Sequence, residues 1–246
     1  MAKTAVIILA AGKGERFGSS ERKALAKLDG RPIFIRSIEQ FVNRDDVCQI
    51  ILAVSGADLQ EIKSKYAPNI SFMGVQIVEG GERRRDSVAA ALEAVKDEAE
   101  LIAVHDAVRP CTTQQMIDQV FAAAAKSGAA ILASPIQGTI KRVADSGVID
   151  ETVPRARLYQ AQTPQVFRRE VILEAYAKTR DDDKVEITDD AQMVELSGHP
   201  VQVVTSDATN LKITTKADIT LAHAILKARP LSKPAKRLGA FEEAQW

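Results

Sequence analysis

Short apolar runs alternate with longer amphipathic stretches along most of the chain. Several runs are continuous in Val, Ile and Leu, which is typical of strands covered on both faces. The predicted strands are residues 4–10, 49–54, 75–78, 101–104, 130–134 and 201–204. Helical spacing and capping residues predict helices at 32–42, 58–66, 84–95, 113–126, 170–177, 189–196 and 216–228. This order predicts an α/β fold with a Rossmann-like, mostly parallel sheet and helices on both faces.

Residues 138–162 interrupt this rhythm. Two β-type runs, TIKRV and VIDETV, flank the turn signal Asp145-Ser146-Gly147, which predicts a protruding β-hairpin. A two-stranded ribbon is only marginally stable alone, so the hairpin is predicted to be a dimerisation arm that packs against a second copy. We expect one domain over residues 1–228, with the arm as an insertion, and a flexible polar tail over 229–246.

The composition narrows the range of partners. The 246 residues include 33 basic and 33 acidic side chains, so no overall positive field gathers nucleic acid, and anion sites must be built locally. Cys48 and Cys111 form no metal or disulfide pattern, and both are interpreted as core residues of a reduced protein. No apolar segment approaches the ~20 residues that span a bilayer, so we expect no membrane partner and a cytoplasmic location.

A Gly-rich loop follows the first predicted strand. The segment reads LAAGKGERFG over residues 9–18, and Lys23 lies five residues further on. Such loops hold phosphates at the carboxyl end of a first strand because glycine lets backbone N–H groups approach the oxygens. The spacing G-x-G-x-x-x-G is neither the dinucleotide fingerprint nor a P-loop. The alternative is a Gly-rich turn with two solvated cations.

A second polar cluster follows the strand predicted at 101–104. Asp106 at this strand end can meet a Mg²⁺ ion or a substrate, and Arg109 can pair with a phosphate. Asp106 can equally be a turn or helix-cap residue. His105 lies beside a buried strand and is interpreted as structural.

Two further clusters carry weaker signals. Gly80 and Gly81 precede a predicted helix and can expose its first amides, with the hydroxyl of Ser87 close by. The arginines at 83–85 are alternatively the solvated start of that helix. Lys212 lies between apolar neighbours just before the last helix, and by itself it is an ordinary surface lysine.

With these clusters in this order, the sequence resembles the 2-C-methyl-D-erythritol 4-phosphate cytidylyltransferase family of the non-mevalonate isoprenoid pathway. The resemblance covers residues 5–226 and rests on AAGKGERFG, EGGERRRDSV, VHDAVRP, Thr139 with Lys141, RLYQAQTPQVF, EITDDAQMVE and NLKITTKAD. It implies a homodimeric nucleotidyltransferase that uses Mg²⁺ or another divalent cation. Its substrates would be CTP and a sugar-alcohol phosphate, and its products a cytidine diphosphate derivative and pyrophosphate.

The resemblance also implies roles for individual residues. The nucleotide would be bound by Ala10, Ala11, Gly12, Gly14, Gly81, Ser87, Asp106 and Ala107. The acceptor would be bound by Asp106, Arg109, Thr139, Arg155, Thr163, Thr188 and Lys212, with Arg155 and Thr163 reaching it from the neighbouring subunit. The catalytic residues would be Arg16 and Lys23, which stabilise charge on the α-phosphate, together with Arg155 and Lys212, which orient the acceptor. Asp106 would retain the metal ion, directly or through water.

The sequence departs from the family pattern in two places. The loop reads Arg22-Lys23-Ala24 where the family usually has Pro-Lys-Gln, and Val108 replaces a commoner alanine. Val108 also occurs in related cytidylyltransferases that use ribitol 5-phosphate, whereas the TDDAQMVE segment favours methylerythritol phosphate. Three alternatives stay open: a ribitol 5-phosphate cytidylyltransferase, a dinucleotide-binding oxidoreductase and a non-catalytic nucleotide-binding module.

Overall fold

The computed structural model describes residues 2–12, 17, 23–179 and 186–229. Its strands are β1 (Thr4–Leu9), β2 (Lys27–Leu28), β3 (Arg31–Pro32), β4 (Val47–Val54), β5 (Val75–Glu79), β6 (Leu101–Asp106), β7 (Ala129–Pro135), β8 (Ile140–Val143), β9 (Ile149–Val153), β10 (Tyr159–Arg168) and β11 (Gln202–Thr205). Its helices are α1 (Ile33–Glu39), α2 (Gly56–Phe72), α3 (Arg84–Leu92), α4 (Gln114–Ser127), α5 (Arg169–Thr179), α6 (Asp190–Leu196) and α7 (Lys216–Ala228). All six predicted strands and all seven predicted helices are confirmed, with shifted ends.

Seven strands form the central sheet in the order β11-β7-β10-β6-β1-β4-β5. All neighbouring strands are parallel except β10, which runs antiparallel to both β6 and β7. The sequence did not predict β10 as a strand, because Pro164 and the polar residues between Gln160 and Gln165 interrupt it, unlike the apolar runs of its neighbours. The mostly parallel sheet is confirmed, with one antiparallel strand near its centre.

Both faces of the sheet are buried, as the continuous apolar strands predicted. Along β1, Val6 and Ile8 point to one face, where they pack in a core with α1, α2 and α4. Ala5 and Ile7 point to the other face and pack with α3, α5 and α6. Because side chains alternate along a strand, a strand covered on both sides must be apolar at every position.

A smaller third core holds α7 against the β2–β3 hairpin, through residues that include Leu28, Ile213 and Ala222. Cys111 is fully buried in this core, and burial raises the pKa of its thiol to about 11, which fits the predicted core role. Cys48 is only partly buried and packs at the border of a main core. Within the described part of the chain, no helix is long and apolar enough to cross a membrane.

The predicted arm is a two-stranded antiparallel sheet of β8 and β9 that stands apart from the central sheet. Three of its apolar side chains are largely exposed: Val143 (51%), Val148 (63%) and Ile149 (56%). The predicted insertion at 138–162 ends too late, because Tyr159 and the residues up to 162 belong to β10, which pairs with β7. The arm therefore joins directly onto a central strand. The predicted tail at 229–246 lies, beyond its first residue, outside the described residues.

Candidate active site

The carboxyl ends of β1, β5 and β6 surround a pocket of about 170 Å³ that is partly open to solvent. Parallel strands bring their carboxyl ends to one edge, which is where α/β sheets bind ligands. We call it the loop pocket. It is lined by Leu9, Ala10, Ala11, Gly12, Lys23, Ala24, Glu82, Arg83, Arg84, Ser87, Asp106, Val108 and Lys212.

Glycine at residue 80 allows α3 to approach β1 closely. A Cβ atom on Gly80 would lie 2.6 Å from Ser87 Oγ and 3.1 Å from Ala11 Cβ, and the first distance is too short for any Cβ contact. Ser87 is buried, and its hydroxyl lies within 3.3 Å of the Gly81 carbonyl oxygen. Gly12 differs, because a Cβ atom there would meet nothing within 4 Å in the described residues.

A second pocket, of about 220 Å³, lies beside β10 and the start of α6. We call it the β10 pocket. It is lined by Arg84, Asp106, Arg109, Ala161, Gln162, Thr163, Gln165, Thr188, Asp189 and Lys212. Arg84, Asp106 and Lys212 line both pockets, so a ligand in either pocket meets the same three charged side chains.

Asp106 is the electrostatic centre of this shared wall. Its Oδ2 lies 2.9 Å from Lys212 Nζ and 3.3 Å from Arg109 Nε. Burial alone would raise the pKa of the Asp106 carboxyl, but the charges of Lys212, Arg84 and Arg109 outweigh it and hold that pKa below its ordinary value. Asp106 is therefore ionised at neutral pH. The carboxylate in turn holds Lys212, from a distant segment, against the end of β6.

Arg109 is held from the opposite side by the chain before α7. Its Nη1 donates a 2.7 Å hydrogen bond to the carbonyl oxygen of Asn210. The Asn210 amide is buried and donates to Gln162 Oε1 and to the Thr163 carbonyl oxygen of β10. Burial lowers the pKa of Arg109, and the charge of Asp106 opposes that shift. This network fixes the cation between β6, β10 and the segment that carries Lys212.

His105 is structural, as its place beside a buried strand indicated. His105 Nε2 lies 3.3 Å from the Arg109 carbonyl oxygen, which can only accept, so Nε2 carries the ring proton and donates it. The other nitrogen, Nδ1, then accepts from Thr163 Oγ1 at 3.1 Å, while Thr163 Oγ1 accepts from the Asp106 backbone N–H at 3.0 Å. Burial lowers the pKa of His105 to about 4, so the ring is neutral at physiological pH. Both ring nitrogens are used inside the protein, and neither is available as a base.

Arg84 is the main site residue that sequence reasoning missed. It was grouped with the potentially solvated arginines at 83–85, yet it borders both pockets and forms a 2.6 Å ion pair with the buried Asp190. A signal was available in the helical spacing. Arg84 lies three and four residues before Ser87 and Val88, both buried, so the three share the inward face of α3. Gln165 and Asp189 of the β10 pocket were also missed.

The structure brings most of the predicted site residues together. Those at the loop pocket are Ala10, Ala11, Gly12, Lys23, Ser87, Asp106 and Lys212. Those at the β10 pocket are Asp106, Arg109, Thr163, Thr188 and Lys212. Thr163, which the resemblance placed at the neighbouring subunit's site, lines this pocket of its own chain. Gly14 and Arg16 lie outside the described residues.

Four predicted residues do not line either pocket. Ala107 is fully buried and supports the site through a 3.0 Å hydrogen bond from its N–H to the Leu9 carbonyl oxygen. Gly81 lies just behind the loop pocket at the start of α3. Thr139 and Arg155 are exposed on the arm, and Arg155 donates to the Gln137 carbonyl oxygen. Neither side chain lines a described pocket of its own chain.

A doubly covered α/β sheet whose carboxyl edge carries two adjoining, cation-lined pockets has the architecture of a nucleotidyltransferase. Residues 4–228 match the model of the family described as 2-C-methyl-D-erythritol 4-phosphate cytidylyltransferase. The chain belongs to this family. The class inferred from the four sequence clusters is thereby confirmed.

Individual relatives agree over nearly the whole chain. The chain is 47% identical over 236 residues to the 2-C-methyl-D-erythritol 4-phosphate cytidylyltransferase of Rhodopirellula baltica, covering 92% of this chain and 95% of that protein. It is 39% identical to that of Alkaliphilus oremlandii, with 93% and 97% covered. The crystal structure of the Thermus thermophilus enzyme superposes with a TM-score of 0.75 at 31% identity, covering 92% of this chain and 99% of that one.

Proposed function

We propose that the chain transfers a cytidylyl group from CTP to 2-C-methyl-D-erythritol 4-phosphate, forming 4-diphosphocytidyl-2-C-methyl-D-erythritol and pyrophosphate for isoprenoid precursor biosynthesis, in the cytoplasm. The observation that carries the proposal is the wall of Arg84, Asp106 and Lys212 shared by two pockets. One pocket holds CTP and the other the acceptor, so the α-phosphorus lies at the shared wall. Membership of the family supports this assignment.

The loop pocket is assigned to CTP. Backbone groups of Ala10, Ala11, Gly12 and Gly14 approach the triphosphate, as expected of a Gly-rich loop after a first strand. Ser87 contacts the nucleotide from α3 and Asp106 contacts it from the end of β6. Gly81 and Ala107 do not line the pocket and support these two residues through the adjoining backbone. The tight fit of Gly80 against Ser87 and Ala11 supports this arrangement, because it narrows the gap between β1 and α3.

The reaction is an in-line attack of the acceptor's phosphate oxygen on the α-phosphorus, with pyrophosphate leaving. The acceptor phosphate is already ionised, so no general base is needed, which agrees with the internal use of both His105 nitrogens. The obstacles are repulsion between two anions and charge growing on the phosphoryl oxygens. Lys23 and Lys212, together with Arg16, therefore act by positioning and by electrostatic stabilisation.

A divalent cation, Mg²⁺ or another, fits this chemistry. The described residues contain no group of three or more His, Cys, Asp and Glu side chains that could hold a metal ion by themselves. Asp106 is a single ionised carboxylate whose ion pairs with Arg109 and Lys212 both use Oδ2. A lone carboxylate suits Mg²⁺, which keeps several waters and binds substrate phosphates. When bound, the cation would neutralise charge on the triphosphate.

Asp106→Asn is expected to raise the Mg²⁺ concentration needed for half-maximal activity, by about tenfold or more, because the amide removes the negative charge that retains the ion. The measurement is initial rate against Mg²⁺ concentration at saturating CTP. Asp118→Asn is the control, since this carboxylate pairs with Arg44 outside both pockets. An unchanged Mg²⁺ response in the Asp106→Asn variant would limit Asp106 to hydrogen bonding with substrate.

The β10 pocket is assigned to the acceptor phosphate and its polyol. Arg109 and Lys212 provide two cations around it and Thr188 provides a hydroxyl. Thr163 also lines it, with its hydroxyl bonded to residues 105 and 106. Thr139 and Arg155 complete this pocket from the arm of the neighbouring subunit in a homodimer. Exposed Val143, Val148 and Ile149 support the dimer, because an apolar ribbon in water gains stability from a partner.

The overall reaction is tested by pyrophosphate release with CTP, ATP, UTP and GTP against both candidate acceptors. We expect release only with CTP, and about 100-fold higher kcat/KM with methylerythritol phosphate than with ribitol 5-phosphate, because a mismatched polyol leaves site hydroxyls unpaired. The converse preference would make the chain a ribitol 5-phosphate cytidylyltransferase. CTP binding without any pyrophosphate release would make it a non-catalytic nucleotide-binding module.

A further inference from the structure

Arg84 occupies a position that the catalytic roles described so far do not use. It borders both pockets at the point where their contents must meet, and it reaches there from the first turn of α3. We infer that Arg84 is a catalytic residue that stabilises the phosphoryl group in transfer, and that Asp190 and Tyr176 are positioning residues that act through it. This inference rests on the proposed function of the same site.

The carboxylate of Asp190 fixes the direction of the guanidinium. Asp190 is fully buried, and its Oδ2 accepts a 2.6 Å hydrogen bond from Arg84 Nη2. Its other oxygen, Oδ1, accepts a 2.6 Å hydrogen bond from the Tyr176 hydroxyl. With one donor on each oxygen, the carboxylate cannot turn without losing a buried hydrogen bond. Tyr176 of α5, Asp190 of α6 and Arg84 of α3 therefore hold one another in a fixed orientation. We call these three residues the relay.

The central sheet anchors this relay. Gln165 of β10 accepts with its Oε1 from the backbone N–H groups of Asp190 and Ala191, at 3.0 and 3.1 Å. Its Nε2 donates to Asp189 Oδ2 at 2.8 Å. Gln165 lies two residues after Thr163, so the strand that lines the β10 pocket also sets the position of α6. The position of Asp190 is therefore tied to the acceptor pocket.

The charges within the relay keep Arg84 protonated and the Tyr176 hydroxyl neutral. Burial would lower the pKa of Arg84, but the charge of Asp190 outweighs it and raises that pKa above its ordinary value. Burial and the same carboxylate raise the pKa of Tyr176, so its hydroxyl remains a donor at neutral pH. A guanidinium has five N–H donors, and the ion pair with Asp190 uses one of them. The others are available to phosphoryl oxygens.

A transition-state role follows from the location. The α-phosphorus of CTP is attacked by the acceptor, so it must lie where the two pockets meet. Arg84 is one of the three side chains that line both pockets. Equatorial oxygens gain charge as the bond to pyrophosphate lengthens, and a planar fork of donors matches two such oxygens. Lysine at this position would keep the charge but lose the fork.

A double-mutant cycle on kcat tests the relay. Arg84→Lys is expected to lower kcat about 100-fold with less than about threefold change in either KM, because the lost contact forms in the transition state. Tyr176→Phe is expected to lower kcat about tenfold, since Asp190 then loses one of its two orienting donors. The double variant is expected to match Arg84→Lys alone, because Tyr176 acts only through the arginine fork. If the Tyr176→Phe variant does not fold, Asp190→Glu takes its place in the cycle, both alone and together with Arg84→Lys.

Arg169→Lys is the matched control. The Arg169 side chain is 28% exposed beside 27% for Arg84, and it forms a 2.7 Å ion pair with Asp97 away from both pockets. The kcat of the Arg169→Lys variant is expected to stay within about twofold of the kcat of the unmodified protein. Multiplicative losses in the double variant, or a wild-type kcat in Arg84→Lys, would overturn the relay. An unmodified protein that releases no pyrophosphate would instead overturn the proposed function, so the two failures are distinct.

Discussion

Lys23→Ala is expected to lower kcat by about 100-fold or more while leaving the KM for CTP within about threefold of its original value. Lys23 lines the loop pocket, which is assigned to CTP. A preorganised cation acts most strongly where charge develops during reaction, so its loss affects the transition state more than the bound substrate. Arg16→Ala is expected to have the same effect.

Steady-state kinetics with saturating acceptor separates the two parameters. Lys27→Ala is a suitable control, because Lys27 lies four residues further along, is exposed on β2 and lines neither pocket. A raised KM for CTP with an unchanged kcat would show that Lys23 only binds the nucleotide. That result would remove Lys23 from the catalytic set and leave the pocket assignment intact.

Mixing two inactive variants, Lys23→Ala and Arg155→Ala, is expected to restore about a quarter of wild-type activity when subunits exchange. Arg155 lies on the arm and lines neither pocket of its own chain. If it serves the partner's site, each mixed dimer has one site with both defects and one with neither. Random pairing makes about half of the dimers mixed, and one site of two in each is active.

The control is a mixture of Lys23→Ala with Lys212→Ala. Both lysines line the loop pocket of the same chain, so every site in that mixture keeps one defect and no activity should return. Exchange is verified by mass spectrometry of differently tagged subunits. If exchange is complete and the Arg155 mixture stays inactive, Arg155 acts within its own subunit or not at all.

Most of the sheet could be predicted because most of its strands are continuous apolar runs in the sequence. Continuous apolar runs such as β1 predicted cover on both faces, and the alternation of Val6 and Ile8 with Ala5 and Ile7 between two cores confirmed it. β10 was not predictable by that rule, because its polar residues bond inside the site. Its Gln165 side chain holds α6, while the hydroxyl of Thr163 bonds residues 105 and 106. Polar residues with such buried partners look like a loop in the sequence.

Site residues that directly follow strands could be predicted from the sequence. Site residues that are brought together only by the packing of distant elements could not. Asp106 and the Gly-rich loop follow two strands that pair in parallel, so their proximity could be argued from the chain alone. Lys212 follows no parallel strand directly, and its place came only from the resemblance. Asp190 meets Arg84 because α3 and α6 cover the same face of the sheet, and no local pattern encodes that contact.

The place of β10 in the sheet has a consequence for the order in which the chain assembles. β5, β4, β1 and β6 are adjacent and complete by residue 106, so they can form with α1 to α3 while the rest is still being synthesised. In the described sheet, β7 and β11 connect to those strands only through β10, so β7 has an unpaired edge until Arg168 has emerged. Gln162, Thr163 and Gln165 arrive with that strand. The acceptor half of the active site therefore assembles onto a nucleotide half that, among its described lining residues, lacks only Lys212.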